Sequence, residues 1–153
     1  MARRQRRLTE AMELSDTVDF ARANQHSVLT TIRRDGRPQL SNVLHHVGDD
    51  GVIRISITAG RAKYHNLRRE PWSALHVSRD DFYAYAVIEG TADLSPVPTA
   101  PDDAAVDELV AYYRAAAGEH PDWDEYRRVM VDDRRVLVRF TPNRAYGMLQ
   151  LPG

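Results

Sequence analysis

Cysteine is absent from this chain of 153 residues. That excludes disulfides, thiolate metal ligands and cysteine nucleophiles, and it suits a reducing compartment. Lysine is nearly absent too: of the 21 basic residues all but one, Lys63, are arginine. Such a bias follows from base composition as readily as from function. No apolar run approaches the roughly 20 residues of a membrane-spanning helix. The basic start, Met1 to Arg7, has no apolar segment behind it and so does not read as a secretory signal. It reads as a mobile basic tail, and the expected location is the cytoplasm. Charge of one sign is lacking as well: the net charge is −1, which gives no global basic field for nucleic acid. What remains, 42% hydrophobic and 28% charged residues, is the composition of one ordinary globular domain, expected to run over 1–153.

Hydrophobic periodicity then orders the chain. Thr9 to Ala23 has Leu14, Val18 and Ala21 at helical spacing, with Met12 and Phe20 beside them. Thr9 is one N-cap candidate, and Ser15 or Asp16 gives a later start. Three strands follow in a meander, over His26–Ile32, Pro38–Val47 and Val52–Ile57, separated by Asp35-Gly36 and Gly48-Asp-Asp-Gly51. Ala62 to Arg69 is a short helix stopped by Pro71. Trp72–Ser78 and Tyr83–Leu94 are further strands, and the proline-rich 95–101 is a connector. Asp102–Ala117, closed by Gly118, and Asp122–Val131 are helices, and Val136–Phe140 is the last strand. Six antiparallel strands with helices outside predict a closed or nearly closed barrel, because closure removes exposed strand edges.

The lone lysine sits in Thr58-Ala-Gly-Arg-Ala-Lys-Tyr-His-Asn, where a strand gives way to a helix. Arg61, Lys63 and Asn66 cluster at that helix N-terminus, whose free N–H groups and positive dipole end suit an anion. A solvated basic turn has the same spacing. In the second strand, alternation puts Gln39, Ser41 and Val43 on one face and Leu40, Asn42 and Leu44 on the other. Their polar groups either satisfy backbone or bind the edge of a heteroaromatic ring. His45 and His46 are adjacent in a strand, so they point to opposite faces and do not share a metal ion, and no other histidine spacing makes a zinc site. No G-x-S-x-G elbow supports a hydrolase. Phe82-Tyr-Ala-Tyr85 reads as core or interface packing, or as a wall against a planar ligand. Asp80-Asp81 and Asp132-Asp-Arg-Arg135 read as solvated turns.

The order of the motifs carries a resemblance. Asp-Gly-Arg-Pro-Gln-Leu-Ser-Asn, then Arg-Ala-Lys-x-x-Asn-Leu-Arg-Arg-x-Pro, then Tyr-Ala-Val-Ile-Glu-Gly-Thr-Ala, resembles the pyridoxamine 5′-phosphate oxidase-like split β-barrel superfamily over about Asn24 to Arg139. Within it the chain is most similar to the deazaflavin branch, the F420-dependent oxidoreductases of the FDOR-B type. The resemblance implies a six-stranded FMN-binding-type split barrel with peripheral helices, and a homodimer with two cofactor sites at the subunit interface. It implies that Arg61, Ala62, Lys63 and Asn66 hold the cofactor phosphate. Ser41, Asn42 and Val43, with Ser56 and Ile57, would line the deazaflavin ring, and Tyr83 and Tyr85 would close the pocket. The family often has tryptophan where this chain has Tyr83, and Gly60 gives the loop more freedom than proline would.

The implied activity is hydride transfer from reduced F420 to an electrophilic small molecule, with no acid or base residue of the protein nominated. The same fold with FMN, as a pyridoxamine-phosphate-type oxidase or flavin reductase, is the first alternative. A non-catalytic protein that binds or stores F420 is the second. Neither membrane nor nucleic acid is an expected partner.

Overall fold

Alternating burial along the strands shows which face of each one is core. The computed structural model describes residues 13–150, so the basic tail, Thr9 and Met12 lie outside the described residues. Among the described residues four helices and seven strands follow in the order α1 (Leu14–Ala23), β1 (His26–Ile32), β2 (Pro38–Leu44), β3 (His46–Val47), β4 (Ile53–Thr58), α2 (Ala62–Arg69), β5 (Trp72–Ser78), β6 (Tyr85–Leu94), α3 (Ala104–Ala117), α4 (Trp123–Asp132) and β7 (Arg135–Met148). The strands form one antiparallel sheet in the order β2-β1-β5-β6-β7-β4-β3. Leu29, Ile53, Ile55, Ile57, Leu75, Val77, Ile88, Val136, Val138 and Phe140 point inward and form the core. Burial of each such isoleucine contributes about 1.5–3 kcal/mol.

Seven strands stand where six were expected, and His45 is the reason. The expected second strand, Pro38–Val47, breaks at this residue. The His45 N–H still bonds toward β1, to the Gln25 carbonyl at 2.9 Å, whereas His46 is already paired with Arg54 of β4. The chain therefore passes from one end of the sheet to the other at a single corner. The corner is pinned from inside: the fully buried His45 ring lies 2.8 Å from Ser27 Oγ through Nδ1 and 2.8 Å from the Ala21 carbonyl through Nε2. With Nε2–H donating to that carbonyl, Nδ1 accepts from the serine. β2 and β4 are not paired with each other, and the barrel is split between them.

Other boundaries moved for local reasons. α1 starts at Leu14, capped by Glu13, whose carbonyl accepts from Asp16 and Thr17, so Ser15 and Asp16 lie inside the first turn. β6 begins at Tyr85 because Phe82, at φ 69°, turns the chain just before it. β7 runs on to Met148, well past Phe140, although Thr141-Pro-Asn-Arg has no strand-like alternation. Its partner β6 carries it, through a register shift at Glu89/Gly90. Gly90 is required there, since a Cβ would collide with the Thr141 carbonyl and stand 2.6 Å from the Phe140 ring. Helices α3 and α4 form a second core with Leu137, on the outer face of β7. No helix among the described residues is long and apolar enough to cross a membrane.

Candidate functional site

The outer face of β4 organises the site. Its isoleucines are core, which leaves Arg54, Ser56 and Thr58 pointing out. Past Thr58 the chain turns through Gly60 at φ 100°, a conformation that residues with a Cβ rarely adopt. Arg61 is then the N-cap of α2. No side chain caps this helix and no acidic residue lies in its first turn, so its leading N–H groups are open to an anion. Tyr64 and Leu67 are buried and fix the direction in which the helix points.

Cations converge at this end of β4. The Lys63 ammonium is held below its ordinary pKa, first by partial burial and then by the charges of Arg61 and Arg135. None of the three makes an ion pair among the described residues. Arg135 Nε is buried without a hydrogen-bond partner. Three positive charges with no carboxylate between them repel one another, and a phosphate relieves that repulsion. Arg135 was not among the residues expected here; its segment reads as a solvated turn. Arg134, at φ 52°, ends that turn, and Arg135 opens β7 directly opposite Thr58. Only the β4–β7 register brings it to Lys63, and no local signal in the sequence reports that register.

The other expected residues divide by environment. Asn66 is turned inward at 6% exposure and donates to Thr31 Oγ1 at 3.1 Å. Thr31 donates to Gln39 Oε1 at 2.9 Å, and Gln39 Nε2 donates to Ser41 Oγ at 2.8 Å. Asn66 thus ties α2 to β1 and β2, which makes it a positioning residue in this structure, linked to Ser41 by a hydrogen-bond chain. Ala62 is exposed in the first turn of α2, where it offers only backbone. The Ile57 side chain is core at 1% exposure, so only its backbone can border a ligand. Asn42 and Val43 border a cavity of about 650 Å³ on the outer face, together with His26, His76 and Phe82. Tyr85 stacks on His76 at 5.4 Å, while Tyr83 is 63% exposed at the tip of the preceding turn. These residues do not share one cavity in the chain.

Tyr112 of α3 reaches the Leu44 end of the split between β2 and β4. Its hydroxyl lies 3.4 Å from the Leu44 carbonyl and near the Ser56 backbone, and burial raises its pKa. The positive charge of Arg135 opposes that rise, which puts this phenol within electrostatic reach of the cation cluster. On the other side of Tyr112 is a second cavity, of about 610 Å³, between α3 and the β3–β4 hairpin, bordered by His46, Arg54, Glu108 and Leu137.

Comparison with known proteins agrees with this architecture. The family model for pyridoxamine 5′-phosphate oxidase matches residues 15–149. A hypothetical protein of Mycobacterium tuberculosis superposes with a TM-score of 0.67 at 23% identity, covering 93% of each chain. A protein described as an F420 reductase superposes with a TM-score of 0.56 at 27% identity, covering 80% of this chain and 89% of its own. The heme storage protein HutZ of Vibrio cholerae superposes with a TM-score of 0.65 at 16% identity, covering 90% of this chain and 96% of its own. The first and third of these likenesses show the fold alone.

Proposed function

This chain belongs to the pyridoxamine 5′-phosphate oxidase family, and from that premise we propose that it is an F420-dependent reductase. The observation that carries the reading is the unpaired cluster of Arg61, Lys63 and Arg135 at the open N-terminus of α2. These residues fit a phosphate-bearing cofactor. The split between β2 and β4, with Ser41 and Ser56 beside it, fits its ring. The likeness to the F420 reductase favours the deazaflavin over FMN.

When bound, reduced F420 supplies a hydride, so the acceptor gains two electrons and one hydrogen nucleus, and a proton from solvent completes its reduction. The protein's part is to bind and orient. Arg61, Lys63 and Arg135 neutralise the phosphate, and their contacts are equal in ground and transition states, so they contribute affinity rather than rate. Asn66, through Thr31 and Gln39, fixes the strand that carries Ser41 against the helix that carries Lys63, and this sets the distance between phosphate and ring. Tyr112 stops water from entering the Leu44 end of the split.

The assembly that completes the site is a homodimer. Leu40 and Leu44 on β2 and Tyr146 on β7 are exposed at 59%, 47% and 45%, and Phe82 at 81% stands beside them. The cross-strand row Asn42, Val28, His76, Val87, Tyr146 runs over one outer face of the sheet, which no helix among the described residues covers. A second copy would bury that face and bring its Phe82–Tyr83 turn to this site. Sedimentation velocity should show a dimer for the native chain and a monomer for Leu44→Arg.

FMN is the second reading, since the family's name-giving enzyme acts on a phosphorylated substrate and the cation cluster serves either phosphate. Parallel fluorescence titrations with F420 and FMN decide between them. Tighter F420 binding supports the proposal, tighter FMN binding replaces the cofactor, and binding of neither removes the functional reading.

A further inference from the structure

The cavity between α3 and the β3–β4 hairpin has a chemistry unlike that of the cation cluster. Every ionic side chain on its wall except Asp49 is already paired. Arg54 donates to both carboxylate oxygens of Asp50, at 3.0 and 2.9 Å, which holds the Asp50 carboxyl down to about 2. Glu108 accepts two hydrogen bonds from Arg139, at 2.6 and 2.9 Å, and Arg139 is also bonded to Asp93. Asp49 makes no ion pair among the described residues, so the remaining formal charge on this wall is negative. The groups left over for a ligand are His46 Nδ1, which is buried with no partner, and the Tyr112 hydroxyl, whose contact at 3.4 Å is at the limit of a hydrogen bond.

We propose that this cleft is a binding site for an uncharged small molecule carrying hydrogen-bonding groups, and that it rejects carboxylates and phosphates. This preference does not rest on the hydride-transfer reading above. The volume of about 610 Å³ suits a small organic molecule. An anion entering it meets Asp49 and Glu108 and finds no free cation, because Arg54 and Arg139 are both engaged. An uncharged ligand meets no such repulsion and satisfies His46 Nδ1, whose lack of a partner is otherwise costly, with the weakly engaged Tyr112 hydroxyl as a second contact.

The test uses two nearly isosteric probes that differ in charge, 2-naphthamide and 2-naphthoate. The whole protein is labelled with ¹³C-histidine, and His46→Gln identifies the His46 ring signal among the six histidines. 2-Naphthamide is expected to shift the His46 signal saturably, and 2-naphthoate to bind at least about tenfold more weakly. Tyr112→Phe should weaken 2-naphthamide by about three- to tenfold, the value of one hydrogen bond. Equal or tighter binding of 2-naphthoate overturns the proposal, as does a His46 signal that neither probe moves in the folded protein. F420 titrated in parallel separates the two readings. Loss of F420 binding with the His46 shift retained removes the cofactor and leaves the cleft's ligand preference standing. F420 binding without the shift removes the cleft alone.

Discussion

The two ends of strand β4 carry opposite electrostatic solutions. At its C-terminal end Arg61, Lys63 and Arg135 gather without a carboxylate, and the Lys63 ammonium is depressed by burial and by its neighbours. At its N-terminal end Arg54 is clamped by Asp50, and Arg139 by Glu108 and Asp93. Both ends are rich in arginine, so composition does not separate them. Pairing does. Charge left uncompensated by the fold is available to a ligand, whereas charge already compensated shapes a wall and discourages ions. One strand thus presents a candidate anion site and an ion-averse cleft about five residues apart, a separation of roughly 17 Å along an extended chain, with Tyr112 between them.

The comparison breaks most visibly if the cation end is emptied. Lys63→Ala with Arg135→Ala should weaken F420 binding by about 100-fold or more, and each substitution alone by about tenfold, the range for charge-assisted hydrogen bonds. Fluorescence titration measures this, with circular dichroism confirming the fold. Unchanged affinity would show that the phosphate lies elsewhere. The opposite manipulation is Glu108→Gln, which frees part of Arg139 and should turn the cleft toward anions. Binding of 2-naphthoate should strengthen by about fivefold, with a stability loss below about 1 kcal/mol because the Glu108–Arg139 pair is partly solvent-screened. Failure of 2-naphthoate to gain would mean that charge pairing does not set the cleft's preference.

A salt series sharpens the contrast without mutation. Raising NaCl from about 0.05 to about 0.5 M should weaken F420 binding several-fold and leave 2-naphthamide within about twofold, since screening acts on ionic contacts. Parallel losses for both ligands would erase the distinction.

The smallest effect concerns the corner from which both ends depart. Burial, above all, lowers the His45 pKa from its ordinary value in spite of the Ala21 hydrogen bond. A native pKa below the unfolded one means that the unfolded chain takes up the proton first. Stability is therefore full above about pH 6.5 and falls as pH drops through that value toward the lower native pKa. Melting temperatures at about pH 7.5 and 5 should differ more for the native chain than for His45→Gln. An equal difference would assign the pH dependence to other groups.

Much of this molecule was readable before any coordinates. Period-two alternation in Ile53-Arg-Ile-Ser-Ile57 told core from surface because a strand has only two faces. The Gly60–Lys63 turn marked a candidate anion site because a strand ending in glycine before a basic helix start leaves N–H groups free. The break at His45 was hidden, since a kinked strand and a straight one have the same apolar pattern. The long β7 was hidden as well, because pairing with β6 holds a segment that has no strand signal of its own. Asn66 had the right neighbours for a phosphate ligand, yet its side chain went to Thr31, a partner 35 residues away.

Local chemistry, then, was settled by the sequence itself: which segments are strands or helices, which faces are apolar, and where one helix opens onto a basic turn. Those properties depend on residues a few positions apart. Arg54 meets Asp50 only four residues away, but for Arg135 and Arg139 the tertiary structure alone decided whether the charge is paired or free, because groups separated by dozens of residues meet only through strand register and helix packing. Arg135 beside Lys63 and Arg139 beside Glu108 are the two cases. The difference between them, an available charge and a spent one, is what gives the two ends of β4 their different chemistry.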